Sequence, residues 1–194
     1  MQDNEAKQYF AYLTTRSRVA EWFRLHISYP CVSRYLKGRV LDLGCGIGDY
    51  LRYNKEAVGA DINKYNVQYC NTIGCEAYVI ANGILPFSAH CFDGVLFDNV
   101  LEHVTGPDGV ISEISRVMKP GGILVVGVPG RKGFQMDPDH KIFYDEQTLK
   151  SLLENHGYQL VKNLYFPFFF KSEFLSRTLS QYAVNSVYQK HGFA

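Results

Sequence analysis

The chain has 194 residues, of which 46% are hydrophobic and 20% are charged, as in an ordinary globular protein. Its 20 basic and 19 acidic residues leave a net charge of +1, so the basic excess typical of a nucleic-acid-binding protein is missing. This length suits one domain in which a sheet lies between two helical layers, and we predict a single domain over residues 1–194.

The cysteines and the apolar runs indicate a cellular compartment. Five cysteines are present, an odd number without any CxxC pair, which predicts neither a disulfide framework nor a structural zinc site. Residues 1–10 are polar and lack the apolar core of a signal peptide, and no apolar run reaches the roughly 18 residues of a membrane span. We therefore expect a cytoplasmic protein that does not span a membrane.

Helical spacing of apolar and aromatic residues over 5–26 predicts an N-terminal helical cap, or lid, within residues 1–37, which we expect residues 29–31 to interrupt. Short apolar runs then alternate with helical segments through a core at 38–166. The predicted strands are 40–43, 57–60, 76–81, 92–97, 123–128 and 158–166. Residues 167–194 carry an aromatic patch at 168–170 and a segment that we predict to be helical, without a seventh strand.

Alternating strands and helices require right-handed crossovers, so the predicted fold is α/β, a three-layer, doubly wound, mostly parallel sheet of the Rossmann-like type. Ligands of such sheets bind at the carboxyl ends of the strands. The polar loop at 131–140 follows the fifth predicted strand and is expected to be functional. Other residues predicted at this edge are Gly44, Gly46, Gly48, Asp61, Asn82 and Asp98.

Residues 39–50 read RVLDLGCGIGDY, a short strand that runs into glycines at alternate positions. The pattern is not the dinucleotide-binding GxGxxG because Asp49 stands at its sixth position, and it is not a P-loop because no GK[ST] follows. Asp61, at the end of the second predicted strand, can accept hydrogen bonds from ribose hydroxyls. Taken alone, the turn fits either a structural role or a nucleoside site.

Five features follow one another along the chain: DLGCGIGDY, the acidic Asp61, ANGILPF, FDGVLFDNVLEHV and RVMKPGGILVVGVP. In this order and spacing they resemble the motifs of class I S-adenosylmethionine-dependent methyltransferases, specifically the small-molecule, methyltransferase type 11-like group. The resemblance covers residues 40–166. It implies an enzyme that uses S-adenosyl-L-methionine and releases S-adenosyl-L-homocysteine.

The resemblance also implies a set of cofactor contacts. The glycine turn would cradle the methionine part, the residues after the second strand would meet the ribose and adenine face, those after the third strand the adenine edge, and those after the fourth strand the methionine amine. The residues concerned are Asp42, Gly44, Cys45, Gly46, Gly48, Asp61, Ile62, Asn82, Gly83, Asp98 and Asn99. The family more often has Asp in place of Asn82, so weaker adenine recognition is expected there.

A base is needed only if the methyl acceptor is a hydroxyl or a protonated amine, and histidine is suited to that task near neutral pH. His103 and His140 follow strands at the predicted ligand edge, and both are candidate bases. His140 is favoured because Asp137 and Asp139 share its loop. The same DPDH segment can be interpreted as a metal site, but further ligands are not evident and no metal is predicted. The other histidines, expected at the surface, are His26, His90, His156 and His191.

The predicted function is methyl transfer to a small molecule, at an oxygen of a sugar or of a lipid-linked metabolite that the protein contacts transiently. Aromatic residues near both ends either pack in the core or form a lid that selects this acceptor. A nucleic-acid substrate is disfavoured by the balanced charge and by DNVL after the fourth strand, where an NPPY-like tetrad would be expected. The alternative is a catalytically silent S-adenosylmethionine-binding scaffold or regulator. The oligomeric state stays open.

Overall fold

A seven-stranded sheet lies at the centre of the computed structural model, which describes residues 3–15 and 17–192. Its strands are β1 (Val40–Leu43), β2 (Val58–Asp61), β3 (Ala77–Val79), β4 (Phe92–Asp98), β5 (Met118–Pro129), β6 (Tyr158–Phe166) and β7 (Ala183–Lys190). Their order in the sheet is β3-β2-β1-β4-β5-β7-β6.

Strands β1 to β5 pair in parallel, whereas β7 is antiparallel to both of its neighbours, β5 and β6. Strand β6 therefore runs in the same direction as β1 to β5. Pro129, at the end of β5, and Phe166, at the end of β6, both pair with Ala183. All six of these strands thus end at one edge of the sheet, called the carboxyl edge below.

Helices cover the sheet on both faces. They are α1 (Asp3–Thr14), α2 (Arg18–Phe23), α3 (Tyr29–Ser33), α4 (Asp49–Tyr53), α5 (Lys64–Thr72), α6 (Pro107–Val117), α7 (Arg131–Met136), α8 (Glu146–Glu154) and α9 (Glu173–Thr178), with a π-helical turn at Arg24–Ser28 and a 3-10 helix at Leu101–His103. Successive residues of β4 face opposite layers, since Val95 and Phe97 lie in one buried apolar cluster and Leu96 in the other. The predicted three-layer, doubly wound α/β fold is confirmed.

Side-chain caps fix the starts of two helices. Asn63 accepts a hydrogen bond from the Tyr65 backbone N–H before α5. Asp145 accepts from the backbone N–H of Thr148, and the Thr148 hydroxyl accepts from the Asp145 N–H, which completes a capping box before α8.

The helical prediction for the C-terminal segment is wrong over residues 183–190, which form β7. This strand is inserted between β5 and β6 and is buried on both faces, so its sequence AVNSVYQK lacks the apolar and polar alternation of an exposed strand. Asn185 and Ser186 lie inside it and are fully buried. Polar residues at buried positions remove the apolar pattern by which a strand is recognised in a sequence.

Three local predictions also need correction. Residues 29–31 do not interrupt the N-terminal helix, because Pro30 stands in the first turn of α3, where a missing N–H is tolerated. Residues 131–136 form α7 and are not a loop. Strand β5 begins at Met118, so residues 119–122 belong to the strand and do not precede it.

The N-terminal cap lies over the glycine turn. The Ala6 carbonyl in α1 accepts a hydrogen bond from the Asn63 side chain at 2.8 Å, and a Cβ added at Gly46 would lie 3.4 Å from Leu13. Met1, Gln2 and Arg16 of the predicted cap, and Phe193 and Ala194 of the predicted C-terminal segment, lie outside the described residues. Within 3–15 and 17–192, no helix is long and apolar enough to cross a membrane.

Candidate active site

The glycine turn after β1 is held against the end of β2. The Gly44 N–H donates to the Ala60 carbonyl at 2.7 Å, and the Cys45 N–H donates to the same oxygen at 3.2 Å. Gly44 has a φ of 78°, and a Cβ at this position would lie 2.4 Å from Val100. Because the backbone conformation and the neighbouring side chain both exclude a larger residue, the turn passes close under the segment that follows β4.

Asp61 is buried at the end of β2 and ties three elements together. Its Oδ2 accepts hydrogen bonds from the Gly46 N–H at 2.9 Å and the Asn66 amide at 3.2 Å, and its Oδ1 accepts from the Asn63 N–H at 2.7 Å. Burial raises the pKa of this carboxyl, and these bonds lower it in part. An ionised carboxylate offers about four acceptor positions, so Oδ1 keeps one for a further donor. Ile62, the next residue, is 64% exposed.

Asn82 and Gly83 form a tight exposed turn after β3. Both have positive φ, 53° and 73°, and the Ile84 N–H donates to the Ala81 carbonyl at 3.0 Å. Asn-Gly is the residue pair most often found in such a turn because asparagine tolerates the left-handed conformation. The left-handed backbone conformation thus explains Asn82, at a position where the methyltransferase family that the sequence resembles more often has Asp.

Asp98 lies at the carboxyl edge between β1 and β5 and is held from β7. Its Oδ1 accepts hydrogen bonds from the side-chain amides of Asn99 and Asn185, each at 3.0 Å. Asp42, a residue of the neighbouring strand, is buried, and its pKa is raised well above the usual value by desolvation and then by the Asp98 charge. Sequence reasoning missed Asn185, which contacts the predicted site residue from an unrecognised strand.

A cluster of opposite charges joins the N-terminal cap to the glycine turn. Arg24, in the π-helical turn, donates to Asp49 at 2.8 Å, and Arg52 pairs with both Asp49 and Glu21. Asp49 is the residue that breaks the dinucleotide pattern, and its structural role is to accept these two guanidinium groups. The Nε atoms of Arg24 and Arg52 are buried and have no hydrogen-bond partner among the described residues.

Glu102, His103 and His140 come together beside this site, and we call them the Glu-His-His cluster. One ligand atom from each side chain lies within 4.8 Å of the other two. The Glu102 carbonyl accepts from the backbone N–H groups of Lys141 and Ile142 at 2.7 and 3.1 Å, which fixes His140 over the 3-10 helix. The structure therefore brings together both histidines predicted as candidate bases, and adds an acidic residue.

Glu102 is the residue of this cluster that sequence reasoning missed. It is 1% exposed, and neither carboxylate oxygen has a hydrogen-bond partner in the described part of the chain. Burial raises the pKa of its carboxyl to about 8, and the Asp98 charge contributes to the rise. Burial also lowers the pKa of His103, as does the neighbouring His140 ring. The one sequence signal was its position in LEHV directly after a central strand.

The remaining histidines lie away from the cluster. His156 is paired with Asp108 at 3.1 Å, His26 packs on Trp22 with ring centroids 5.0 Å apart, and the His90 ring contacts the Met118 carbonyl. Asp137, from the predicted DPDH segment, lies at the cluster's rim with Oδ2 at 3.9 Å from His140 Nε2.

Replacing Glu102 with methionine should stabilise the fold by about 1–3 kcal/mol, because a buried carboxyl group without a hydrogen-bond partner costs about that much. Urea denaturation of both proteins measures the difference. Glu113→Met is the matched control, since Glu113 accepts hydrogen bonds from Arg116 and the Leu85 N–H and its loss should destabilise. A Glu102→Met protein less stable than the wild type would show that the carboxylate has partners in solution.

Taken together, the strand order and the residues at the carboxyl edge define a Rossmann-like α/β protein with its candidate site at the ends of β1, β2 and β4. Among solved structures, an S-adenosylmethionine-dependent methyltransferase of Archaeoglobus fulgidus superposes with a TM-score of 0.68 at 22% identity, covering 90% of this chain and 100% of that one. A methyltransferase of Haloferax volcanii in complex with its Trm112 activator gives a TM-score of 0.76 at 17% identity, covering 97% and 99%. At these identities the likeness shows the fold.

Residues 41–126 match the family model described as a methyltransferase domain. The chain is 33% identical over 111 residues to "Probable tRNA methyltransferase 9B" of Homo sapiens, covering 52% of this chain and 24% of that protein. It is 31% identical over 113 residues to the ubiquinone biosynthesis O-methyltransferase of Mesorhizobium japonicum, covering 53% and 45%. It therefore spans less than half the length of these two relatives.

Residues 41–126 therefore form a methyltransferase domain, as the sequence resemblance predicted. S-adenosylmethionine is the cofactor of this family of enzymes.

Proposed function

We propose that the protein transfers a methyl group from S-adenosylmethionine to a small-molecule acceptor, at an oxygen of a sugar or of a lipid-linked metabolite. The observation that supports this most is the position of the Glu-His-His cluster. The 3-10 helix that carries Glu102 and His103 begins directly after Val100, and Val100 lies against the glycine turn at Gly44. Groups able to hold a nucleoside and groups able to activate a hydroxyl thus lie next to each other.

We propose that the residues at the carboxyl edge supply the donors and acceptors that bind the cofactor. Asp61 would accept one ribose hydroxyl through the remaining position on Oδ1, and the exposed Ile62 would face the adenine ring. The Asn82 turn would meet the adenine edge, and Asp98 and Asn99 would lie near the methionine amine. Sequence reasoning did not consider Arg24, which pairs with Asp49 directly after the glycine turn, and we assign it to the methionine carboxylate.

The cofactor supplies a methyl group on a positively charged sulfur. The protein's own contribution is to align the acceptor, to exclude water with α1 over the turn, and to take up the proton of the acceptor hydroxyl. Alignment alone can lower the barrier by several kcal/mol. We assign the uptake of the proton to the cluster of His103 and His140, where the Nε2 lone pair of His140 is directed inward.

The acceptor class is supported by charge and by the names of relatives. The Mesorhizobium japonicum relative is named as an O-methyltransferase of ubiquinone biosynthesis, which favours oxygen as the methylated atom. The human relative is named for tRNA, but a net charge of +1 favours a small acceptor. The five cysteines are free thiols, which favours a reducing compartment such as the cytoplasm.

Aromatic residues from the two ends of the chain meet at the carboxyl edge. Phe23 of the cap lies edge-on to Phe166 at 6.2 Å, and Phe166 lies 5.6 Å from Phe169. Phe168, Phe169 and Phe170 are each about half exposed. We propose that this aromatic surface lines the entrance for an apolar or lipid-linked acceptor.

Calorimetric titration tests the cofactor. We expect S-adenosylmethionine and S-adenosylhomocysteine to bind with one site per chain, because the carboxyl edge accepts a single ribose and lacks a pyrophosphate-binding pattern. NAD should show no heat of binding. Binding of NAD without a response to either sulfur compound would contradict the proposal.

Transfer of a labelled methyl group tests the acceptor. The protein is incubated with methyl-labelled S-adenosylmethionine and, in separate reactions, pooled small metabolites or bulk tRNA. Label in a small molecule, resistant to nuclease, supports the proposed acceptor class. Label found in tRNA alone would replace it with RNA methylation.

A further inference from the structure

We propose that the Glu-His-His cluster is a binding site for a divalent transition-metal ion, with Glu102, His103 and His140 as its three protein ligands. The cluster combines one carboxylate with two imidazoles, and all three ligand atoms lie within 4.8 Å of one another. The ligands come from the 3-10 helix after β4 and from the segment after α7, so the site joins two strand ends. This donor set matches mononuclear sites that keep a coordination position open for water or substrate.

The first support is that two side chains able to bind a metal face each other at a separation too long for a hydrogen bond. The His140 Nδ1 atom lies 2.8 Å from the Phe134 carbonyl oxygen, which can only accept, so Nδ1 carries the ring proton. In the neutral ring, Nε2 then holds the lone pair, and this atom lies 3.7 Å from Glu102 Oε1, beyond hydrogen-bonding distance. Both carboxylate oxygens of Glu102 lack a hydrogen-bond partner within the described residues. A cation between these atoms satisfies all of them.

The second support is the way in which the histidines are held. In most protein metal sites, the ring nitrogen that does not bind the metal donates to a carbonyl or carboxylate. His140 does this through Phe134, and the Phe134 ring also stacks on it at 5.2 Å. The His103 ring packs edge-on against the His140 ring, with centroids 4.6 Å apart. The His140 ring is thus already oriented as a ligand.

The separation of the Glu102 and His140 ligand atoms is close to that of two ligands of a small ion such as Zn²⁺. With bonds of about 2.0–2.1 Å and tetrahedral angles, two ligand atoms lie roughly 3.4 Å apart. The Glu102 and His140 atoms need to approach by a few tenths of an ångström from their 3.7 Å separation. Asp137, with Oδ2 at 3.9 Å from His140 Nε2, lies at the rim, where it can bind a metal-bound water.

The position of the ion gives it a role that rests on the proposed methyl transfer. A divalent ion lowers the pKa of an oxygen that it binds. An acceptor hydroxyl at the open position would lose its proton to water, its oxygen would form the bond to the methyl carbon, and the carbon–sulfur bond would break to leave a neutral thioether. His103 and His140 would then activate the hydroxyl as metal ligands, with the ion in place of a free imidazole base.

Titration of the metal-free protein with Zn²⁺ against a chromophoric chelator tests the site without cofactor or acceptor. We expect one tightly bound ion per chain. Glu102→Gln, His103→Gln and His140→Gln should each weaken Zn²⁺ binding at least 100-fold. His156→Gln is the matched control, because His156 also lies near a carboxylate but is outside the cluster, and its affinity should equal that of the wild type. Co²⁺ in the same site should give visible d–d bands without the intense near-ultraviolet bands of thiolate ligands.

Each outcome bears on the proposal. Zn²⁺ should raise the melting temperature of the wild type and of His156→Gln but not of the three cluster variants. A cooperative melting transition in each cluster variant shows that it is folded. Absence of stoichiometric binding, or equal affinity in Glu102→Gln, would overturn the site and leave a proton shared within the cluster as its occupant. Because S-adenosylmethionine binding is measured separately, failure of the metal site and failure of the proposed function give different results.

Discussion

Asp61→Ala should weaken S-adenosylmethionine binding about 100-fold, which corresponds to about 2.7 kcal/mol. Two contributions are expected. The ribose loses an acceptor whose hydrogen bond to a charged group is worth about 1.5–3 kcal/mol. The glycine turn also loses its tether, since the Gly46 N–H is held by Asp61 at 2.9 Å. Calorimetry with S-adenosylmethionine and S-adenosylhomocysteine measures both affinities, and both should fall together because the two compounds share the ribose.

Asp93→Ala is the control for this measurement. Asp93 also accepts a backbone hydrogen bond, from the Arg39 N–H at 2.9 Å, and pairs with Lys119, but it lies near the amino end of β4. Its removal should leave cofactor affinity within about twofold. Circular dichroism spectra of both variants establish that the fold is retained. Unchanged affinity in Asp61→Ala would mean that the ribose binds elsewhere and that Asp61 serves only to order the turn.

The fold was predictable from sequence wherever local pattern and tertiary position agree. Strand β4 is almost wholly apolar because both of its faces are covered. Asp145 is a residue type that commonly caps the start of a helix, and it precedes α8. In such stretches, short-range preference and burial favour the same element. The order of these elements sufficed to predict a doubly wound parallel sheet.

Strand β7 was not predictable in this way because its stability comes from its neighbours. Its buried Asn185 bonds to Asp98 of β4, on the far side of β5, and its buried Ser186 bonds to Asn163 of the adjacent β6. An isolated segment with two polar residues at its centre has no apolar face. The pairing partners that make it a strand are distant in sequence.

The same reasoning applies to the candidate site. The glycine turn and Asp61 form a local motif with characteristic spacing, so sequence alone indicated them. Glu102 was not singled out, because a glutamate beside a helix start is usually solvated. Its burial results from packing against His140 and the Lys141 N–H, a contact between segments that follow different strands. A polar cluster of this kind becomes visible only when the chain is folded.

Gly127→Ala should destabilise the protein by about 3 kcal/mol and weaken cofactor binding at least tenfold. Gly127 lies in β5 between Asp98 of β4 and Asn185 of β7, and it pairs with both. The hydrogen bond from Asn185 to Asp98 crosses β5 over the α-carbon of Gly127. An added Cβ would lie 1.8 Å from Asp98 Oδ1 and 2.2 Å from Asn185 Nδ2, so both side chains must move. Overpacking of this kind costs about 1–3 kcal/mol, and the lost hydrogen bond adds about 1 kcal/mol.

Gly109→Ala separates this effect from the general consequence of replacing a glycine. Gly109 lies in α6, where an added Cβ meets nothing within 4 Å, so alanine should stabilise the helix by about 1 kcal/mol. The double variant Gly127→Ala/Asn185→Ala should be less destabilised than the sum of its parts, because one of the two colliding side chains is gone. Denaturant midpoints are measured for the wild type, the three single variants including Asn185→Ala, and the double variant. If Gly127→Ala unfolds at the wild-type midpoint, the Asp98 side chain does not cross β5 in solution. Its assignment to the methionine amine would then lose its structural basis.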